Sequence, residues 1–180
     1  MSATTDDAAT LPILMVPDPA LRKTSRAVTR EDLPEVALLA PAMFATMYKA
    51  PGIGLAAPQV GKLLRLVVMD LAPEKVPAPR VLINPEVVQA SVEKATREEG
   101  CLSLPGHYAE VTRPERVVVV YEDLDGQPQT IEADGLLATC LQHEIDHLDG
   151  ILFVDHLSAL KRNMLLRRLA KEQRQKRDGA

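Results

Sequence analysis

The segment Gln142-His143-Glu144-Ile145-Asp146-His147 contains His-Glu-x-x-His, two imidazoles four residues apart. On a helix, residues at that spacing stand one turn above each other on one face, so His143 and His147 can share a metal ion. Glu144 falls about 100° around the helix from His143 and about 60° from His147. It would sit beside the metal, where it can act as a general base on water activated there. A catalytic site of this kind takes a third protein ligand and keeps one position open. The chain offers two cysteines. Cys140 shares the helix face, but the seven residues from 140 to 147 rise about 10.5 Å, too far for one ion with bonds of about 2.0 to 2.3 Å. Cys140 reads as apolar wall beside the site. Cys101 stands in Glu99-Gly100-Cys101-Leu102-Ser103, close to Pro105, where an irregular backbone can deliver a thiolate; a lone loop cysteine can equally be a small buried residue.

The segment needs a helix to hold it. Residues 136–148 have helical periodicity, opened by Asp134 as N-cap and stopped by Asp149-Gly150. A second helix is expected from Asp32 and Glu35, a capping-box pair, to about Tyr48. Val36, Leu39, Met43 and Met47 lie on one of its faces, and Pro41 should kink or split it. A third runs from Ser158 to about Arg177, with Leu160, Met164, Leu165 and Leu169 as its apolar stripe. Residues 63–70, 81–85, 116–121, 130–133 and 151–154 read as short strands, and Asp125-Gly126 as a hairpin turn. The expected fold is α+β: short mixed or antiparallel strands around a central helix carrying the His-Glu-x-x-His segment, with a C-terminal helix. The expected division is a disordered N-terminus at 1–10, a catalytic domain at 11–157, and a basic C-terminal helix of the same domain at 158–180.

Composition narrows the function classes. With 180 residues the chain fits one core. No Trp, two Phe and three Tyr make an aromatic base-stacking surface a poor expectation. No run approaches the roughly 20 apolar residues of a membrane helix. The opening residues carry Asp6 and Asp7 ahead of the first basic residue, Arg22, which fits neither a secretory signal nor a transit peptide and predicts a cytoplasmic address. Two cysteines are too few for a disulfide framework.

Three motifs together resemble the peptide deformylases of bacterial type: Gly-Ile-Gly-Leu-Ala-Ala-Pro-Gln at 52–59, Glu-Gly-Cys-Leu-Ser at 99–103, and Gln-His-Glu-x-Asp-His at 142–147. The resemblance spans nearly the whole chain. It implies hydrolysis of the N-formyl group from N-formylmethionine at the start of nascent polypeptides, releasing formate. It implies Cys101, His143 and His147 as metal ligands and Glu144 as general base and then acid. The Gln59 side chain and the Leu102 backbone N–H would hold the oxyanion. Fe(II) is the native metal it implies, with Zn, Ni or Co able to occupy the site. Ile53, Leu136, Thr139 and Cys140 would border the methionine pocket, and the backbones of Gly54 and Gly100 would contact the peptide. Arg97 and Tyr108 depart from the family pattern, since many relatives carry an apolar pocket residue at the first position and some a basic residue at the second. His107 and His156 read as surface or boundary histidines. Asp146 either orients a neighbouring group or is a solvated helix carboxylate.

From Ser158 onward the chain carries a net +6, against −4 for the whole, so charge is strongly segregated. Such a tail attracts a polyanion, and the resemblance implies docking of the helix on the ribosome. Two rival functions are a ribosome-associated module without turnover, which would not need Cys101, Glu144 and Gln59, and a general His-Glu-x-x-His peptidase, which would not need the Cys101 loop.

Overall fold

The computed structural model describes residues 9–180. The expected disordered N-terminus, apart from Ala9 and Thr10, therefore lies outside the described residues. Three α-helices, α1 (Leu33–Lys49), α2 (Gly135–Leu148) and α3 (Ala159–Asp178), accompany seven strands: β1 (Gly54–Ala56), β2 (Leu66–Met69), β3 (Arg80–Ala90), β4 (Lys94–Cys101), β5 (Leu104–Pro114), β6 (Val117–Glu122) and β7 (Pro128–Ala133). Five strands form a sheet in the order β1-β2-β3-β6-β7, each neighbouring pair antiparallel, and β4 and β5 make a separate hairpin. The fold is α+β with antiparallel strands, as expected. Among the described residues no helix is long and apolar enough to cross a membrane.

The sheet is covered on both faces, which explains the unbroken apolar run Leu66-Val67-Val68-Met69. Leu66 and Val68 join the core built by Val36, Met43 and Met47 of α1. Val67 and Met69 join the core built by Leu141, Ile145 and Leu148 of α2. A third core gathers Val16 and Leu21 near the N-terminus, Leu104 and Val111 of β5, Phe153, and Leu165 and Leu169 of α3.

Several boundaries move. Helix α1 runs unbroken through Pro41, which lies on its exposed face together with Ala37, the residue whose carbonyl loses its helical donor there. Asp32 does not cap α1 with its side chain. Its carboxylate is engaged by Arg26 and by the Thr29 N–H, in the capping box of the 3-10 turn Arg30–Asp32. Asp134 likewise occupies the N-cap position of α2 without a side-chain cap bond. The expected stop after α2 is real: Gly150 has φ +74°, and a Cβ there would stand 2.4 Å from the Arg22 carbonyl oxygen. Residues 151–154 are not a strand; Phe153–His156 is a 3-10 turn whose entry is held by the Leu152 N–H on the Asp155 carboxylate. On α3 the apolar stripe is Leu165 and Leu169, whereas Leu160 and Met164 are 72% and 52% exposed.

The β4–β5 hairpin and β1 were not foreseen. On β4 the inward face carries Arg97 and Glu99 beside Ala95 and Cys101, and β5 returns Arg113 on the same side, so polar residues occupy positions where a strand normally shows its apolar alternation.

Candidate active site

Helix α2 sets His143 and His147 side by side and buried, their ring centroids 5.1 Å apart. The third arm is β4. Its register with β5 shifts between Gly100 and Cys101, from Gly100 opposite Tyr108 to Cys101 opposite Leu104. The Cys101 Sγ lies 3.3 Å from His147 Nε2, and one ligand atom from each of Cys101, His143 and His147 lies within 4.8 Å of the others. Cys140 is not in this group. It is buried in the sheet core, and burial together with the nearby charges of Glu144 and Glu99 pushes its thiol well above the usual range, so it remains a packing residue.

A buried ion-pair network fixes His143. Its Nδ1 is 2.9 Å from Glu99 Oε1, which leaves Nε2 facing the cluster. Arg113 grips Glu99 through two bonds, Nε to Oε2 at 2.7 Å and Nη2 to Oε1 at 3.0 Å, and reaches Asp146 Oδ2 at 2.8 Å through Nη1. Asp146 also pairs with His156 Nε2 at 2.8 Å, so Asp146 orients its neighbours and His156 is not an unpartnered surface histidine. Burial would raise the Glu99 carboxyl, but bonding to His143 and Arg113 holds it down to about 2. Sequence reasoning missed the roles of Glu99 and Arg113. Glu99 carried a usable signal, lying two residues before Cys101 on the same strand face, whereas Arg113 meets it only across the hairpin.

The charges around the cluster suit a cation. Burial opposes a positive His143, yet hydrogen bonding to Cys101 and Glu99 outweighs it and lifts the imidazole to about 10. Burial holds His147 neutral, the form that ligates a metal. Glu144 is also buried, and its Oε1 is 4.0 Å from His143 Nε2. Its Oε2 has no protein partner, and burial pushes the carboxyl up to about 7. That value suits a group that must both accept and return a proton. Across the site, the 3-10 turn Ala57–Val60 after β1 carries the buried Gln59. The Ala56 N–H donates to Gln59 Oε1 at 3.0 Å, which turns Nε2 toward Ser103 Oγ at 3.1 Å and Cys101 Sγ at 3.6 Å. Leu102 lies in the turn between β4 and β5, next to Cys101, and also lines the cleft.

These groups open onto a cleft of about 720 Å³. Ile53, Gly54, Gly100, Leu136, Thr139 and Cys140, the expected pocket residues, all line it. Arg97 does not line it. Tyr108 does, 64% exposed, with its ring lying where a Cβ on Gly100 would come within 2.5 Å of it. His107 is no surface histidine: it is buried, with Nε2 2.8 Å from Glu172 of α3.

Residues 10–163 match the model of the polypeptide deformylase family. The chain belongs to that family. A peptide deformylase of Brucella suis is 56% identical over 161 residues, 89% of this chain and 91% of that protein. The crystal structure of a Legionella pneumophila peptide deformylase has a TM-score of 0.84 and 48% identity, covering 93% of this chain and 98% of that one. An Ehrlichia chaffeensis peptide deformylase solved in complex with actinonin has a TM-score of 0.83 at 40% identity, over 92% and 99%. Deformylases are metal-dependent hydrolases that remove the N-formyl group from nascent peptides, and this is the activity of the chain.

Gly54 shows how closely this deformylase site is fitted. A Cβ there would stand 2.8 Å from Glu144 Oε1, so the residue must lack a side chain for the carboxylate to lie where it does. The clash runs along the Glu144 side chain, with Cγ and Cδ at 3.0 Å as well as Oε1, and touches no backbone, so the carboxylate must shift while the strand can stay. Gly54→Ala should therefore melt within a few degrees of the parent; if the Glu144 carboxylate takes part in the reaction, kcat drops by about tenfold or more, since small misplacements of a catalytic group cost about 10². Formate release and a melting curve on one preparation check this.

Proposed function

We propose that Cys101, His143 and His147 hold one divalent metal ion, that Glu144 handles the proton, and that Gln59 Nε2 and the Leu102 N–H receive the developing oxyanion. The observation that carries this is convergence: three ligand atoms within 4.8 Å, with a buried, unpartnered carboxylate oxygen beside them and a side-chain amide aimed from the opposite wall. A metal so held supplies Lewis acidity that ionises water near neutral pH and polarises the formyl carbonyl. Glu144 takes the proton from the attacking water and returns it to the amine as the amide C–N bond breaks, so the products are formate and a free amino terminus. Ile53, Leu136, Thr139 and Cys140 border the methionine side chain, and Gly54 and Gly100 present their backbones to the extended peptide.

Fe(II) is the native ion in this reading, and Zn, Ni or Co can replace it. Thiolate and imidazole ligands suit all four, so metal analysis of anaerobically prepared protein makes the assignment. Formate release from a formyl-Met tripeptide, with no cleavage of the same peptide unformylated, tests the reaction and separates it from a general peptidase and from an inert binding module.

The second part concerns the basic segment 158–180, which holds α3 (Ala159–Asp178), as an integral part of the domain that begins at residue 11. Leu165 and Leu169 are buried in the third core while Lys161, Arg167, Arg168, Lys171 and Arg174 are exposed. This arrangement supports a cytoplasmic enzyme that docks on ribosomal RNA through the outer face of the helix. Deleting the helix would strip two core leucines, so replacing Arg167, Arg168, Lys171 and Arg174 by Ala is the cleaner probe. Ribosome affinity should fall and its dependence on salt should flatten, because fewer counterions are released, while hydrolysis of a short formyl peptide stays unchanged. Equal affinity and equal salt slope in the two proteins would rule out docking by this face.

A further inference from the structure

Helix α3 is tied to the catalytic walls by more than apolar packing. Gln173 Nε2 donates to the Val16 carbonyl at 2.7 Å. The Val16 N–H donates to the Ser103 carbonyl at 3.0 Å, and two residues earlier the Leu14 N–H donates to the Gln59 carbonyl at 2.7 Å. The segment from Leu14 to Val16 thus spans the two backbones that carry the oxyanion donors, with Gln59 at one end and Ser103, next to Leu102, at the other. Between those ends the walls also touch directly, Gln59 Nε2 to Ser103 Oγ at 3.1 Å. Gln173 grips the far side of Val16, the link nearest Ser103, from a helix anchored by Leu165 and Leu169.

We propose that Gln173 is a positioning residue for the oxyanion donors, acting through Val16 to hold Ser103 and Leu102 at their spacing from Gln59. The proposal rests on the assignment of Gln59 and Leu102 to the oxyanion. A residue acting this way affects the transition state more than the bound peptide, because the charge it serves develops only during reaction. The loss therefore appears in kcat, with KM little changed.

The experiment is a double-mutant cycle on the metal-loaded full-length protein, reading kcat and KM for formate release from a formyl-Met tripeptide, with a melting curve for each variant. Gln173→Met keeps the length and apolar contact and loses the donor; Gln173→Glu is the isosteric second variant should the first fold poorly. Either should lower kcat about threefold to tenfold with KM within about twofold, the size expected for one hydrogen bond. In a Gln59→Ala background the same change should cost less than about twofold. Gln173→Lys, which restores a donor on a long stem, should recover most of kcat. Glu172→Gln supplies the contrast: it weakens the neighbouring tie of α3 to His107 of β5, which does not run through Val16, and should lower melting without lowering kcat. A Gln173→Met protein with parental kcat, whatever its melting temperature, overturns the proposal and leaves Gln173 as an anchor of α3. An equal loss in both backgrounds overturns it too, by showing that Gln173 acts elsewhere. A Gln59→Ala protein with parental kcat overturns the oxyanion assignment itself.

Discussion

Glu144→Gln keeps its metal and loses formate release by about 10² to 10⁴, the contribution typical of a positioned general acid and base. The substitution preserves shape and the acceptor oxygen, so the three ligand residues are untouched. What disappears is the capacity to take a proton from water and give it to the leaving amine. The two other carboxylates packed around the ligand cluster are committed elsewhere. Asp146 is committed to Arg113 and His156, and Glu99 is locked between Arg113 and His143 and held down to about 2, too acidic to carry a proton at neutral pH. Among the described residues, Glu144 alone combines an unpartnered buried oxygen with a carboxyl raised to about 7 by burial. Metal content and turnover are measured on one preparation; turnover within about threefold of the parent at full metal content would remove Glu144 from the mechanism.

The parts of this site that were legible in the sequence are those that lie within one element. His143, Glu144 and His147 stand on one helix, whose geometry relates them before any tertiary structure is known. Cys101 is 42 residues before His143, and no local rule joins them; only the likeness of three motifs to a family does. Glu99, Arg113 and Asp146 come from β4, β5 and α2, and their partnership exists only once the hairpin lies against the helix. The fold divides along the same line. Strand β2 was legible because burial on both faces leaves an unbroken apolar run. Strand β4 was hidden because its inward face is spent on the polar network that holds His143. His107 reads from sequence as a surface or boundary histidine for a related reason: its partner, Glu172, is 65 residues away on a helix whose basic face dominates its composition.

Cys101→Ser should weaken metal binding strongly, while Cys140→Ser should leave it intact and cost stability instead. The contrast follows from where each sulfur sits. Cys101 Sγ faces His147 Nε2 at 3.3 Å in the ligand cluster, and a serine hydroxyl there is a harder donor and far less readily ionised at neutral pH. Cys140 is packed among Leu141, Ile145 and the inner sheet residues with only an edge on the cleft, its thiol kept protonated by burial and by the negative charges of Glu144 and Glu99. A hydroxyl in that apolar position costs about 1 to 3 kcal/mol if it finds no partner. Cobalt(II) separates the two cases, because its absorption includes a charge-transfer band whenever a thiolate is bound, and competition against a chelator gives the affinity. The band should be present in the parent and in Cys140→Ser and absent in Cys101→Ser, whose affinity should fall by about 10-fold to 100-fold or more, no less than losing a group that merely orients a ligand. A band that survives in Cys101→Ser and vanishes in Cys140→Ser would assign the third ligand to the other cysteine and require α2 to unwind between residues 140 and 143.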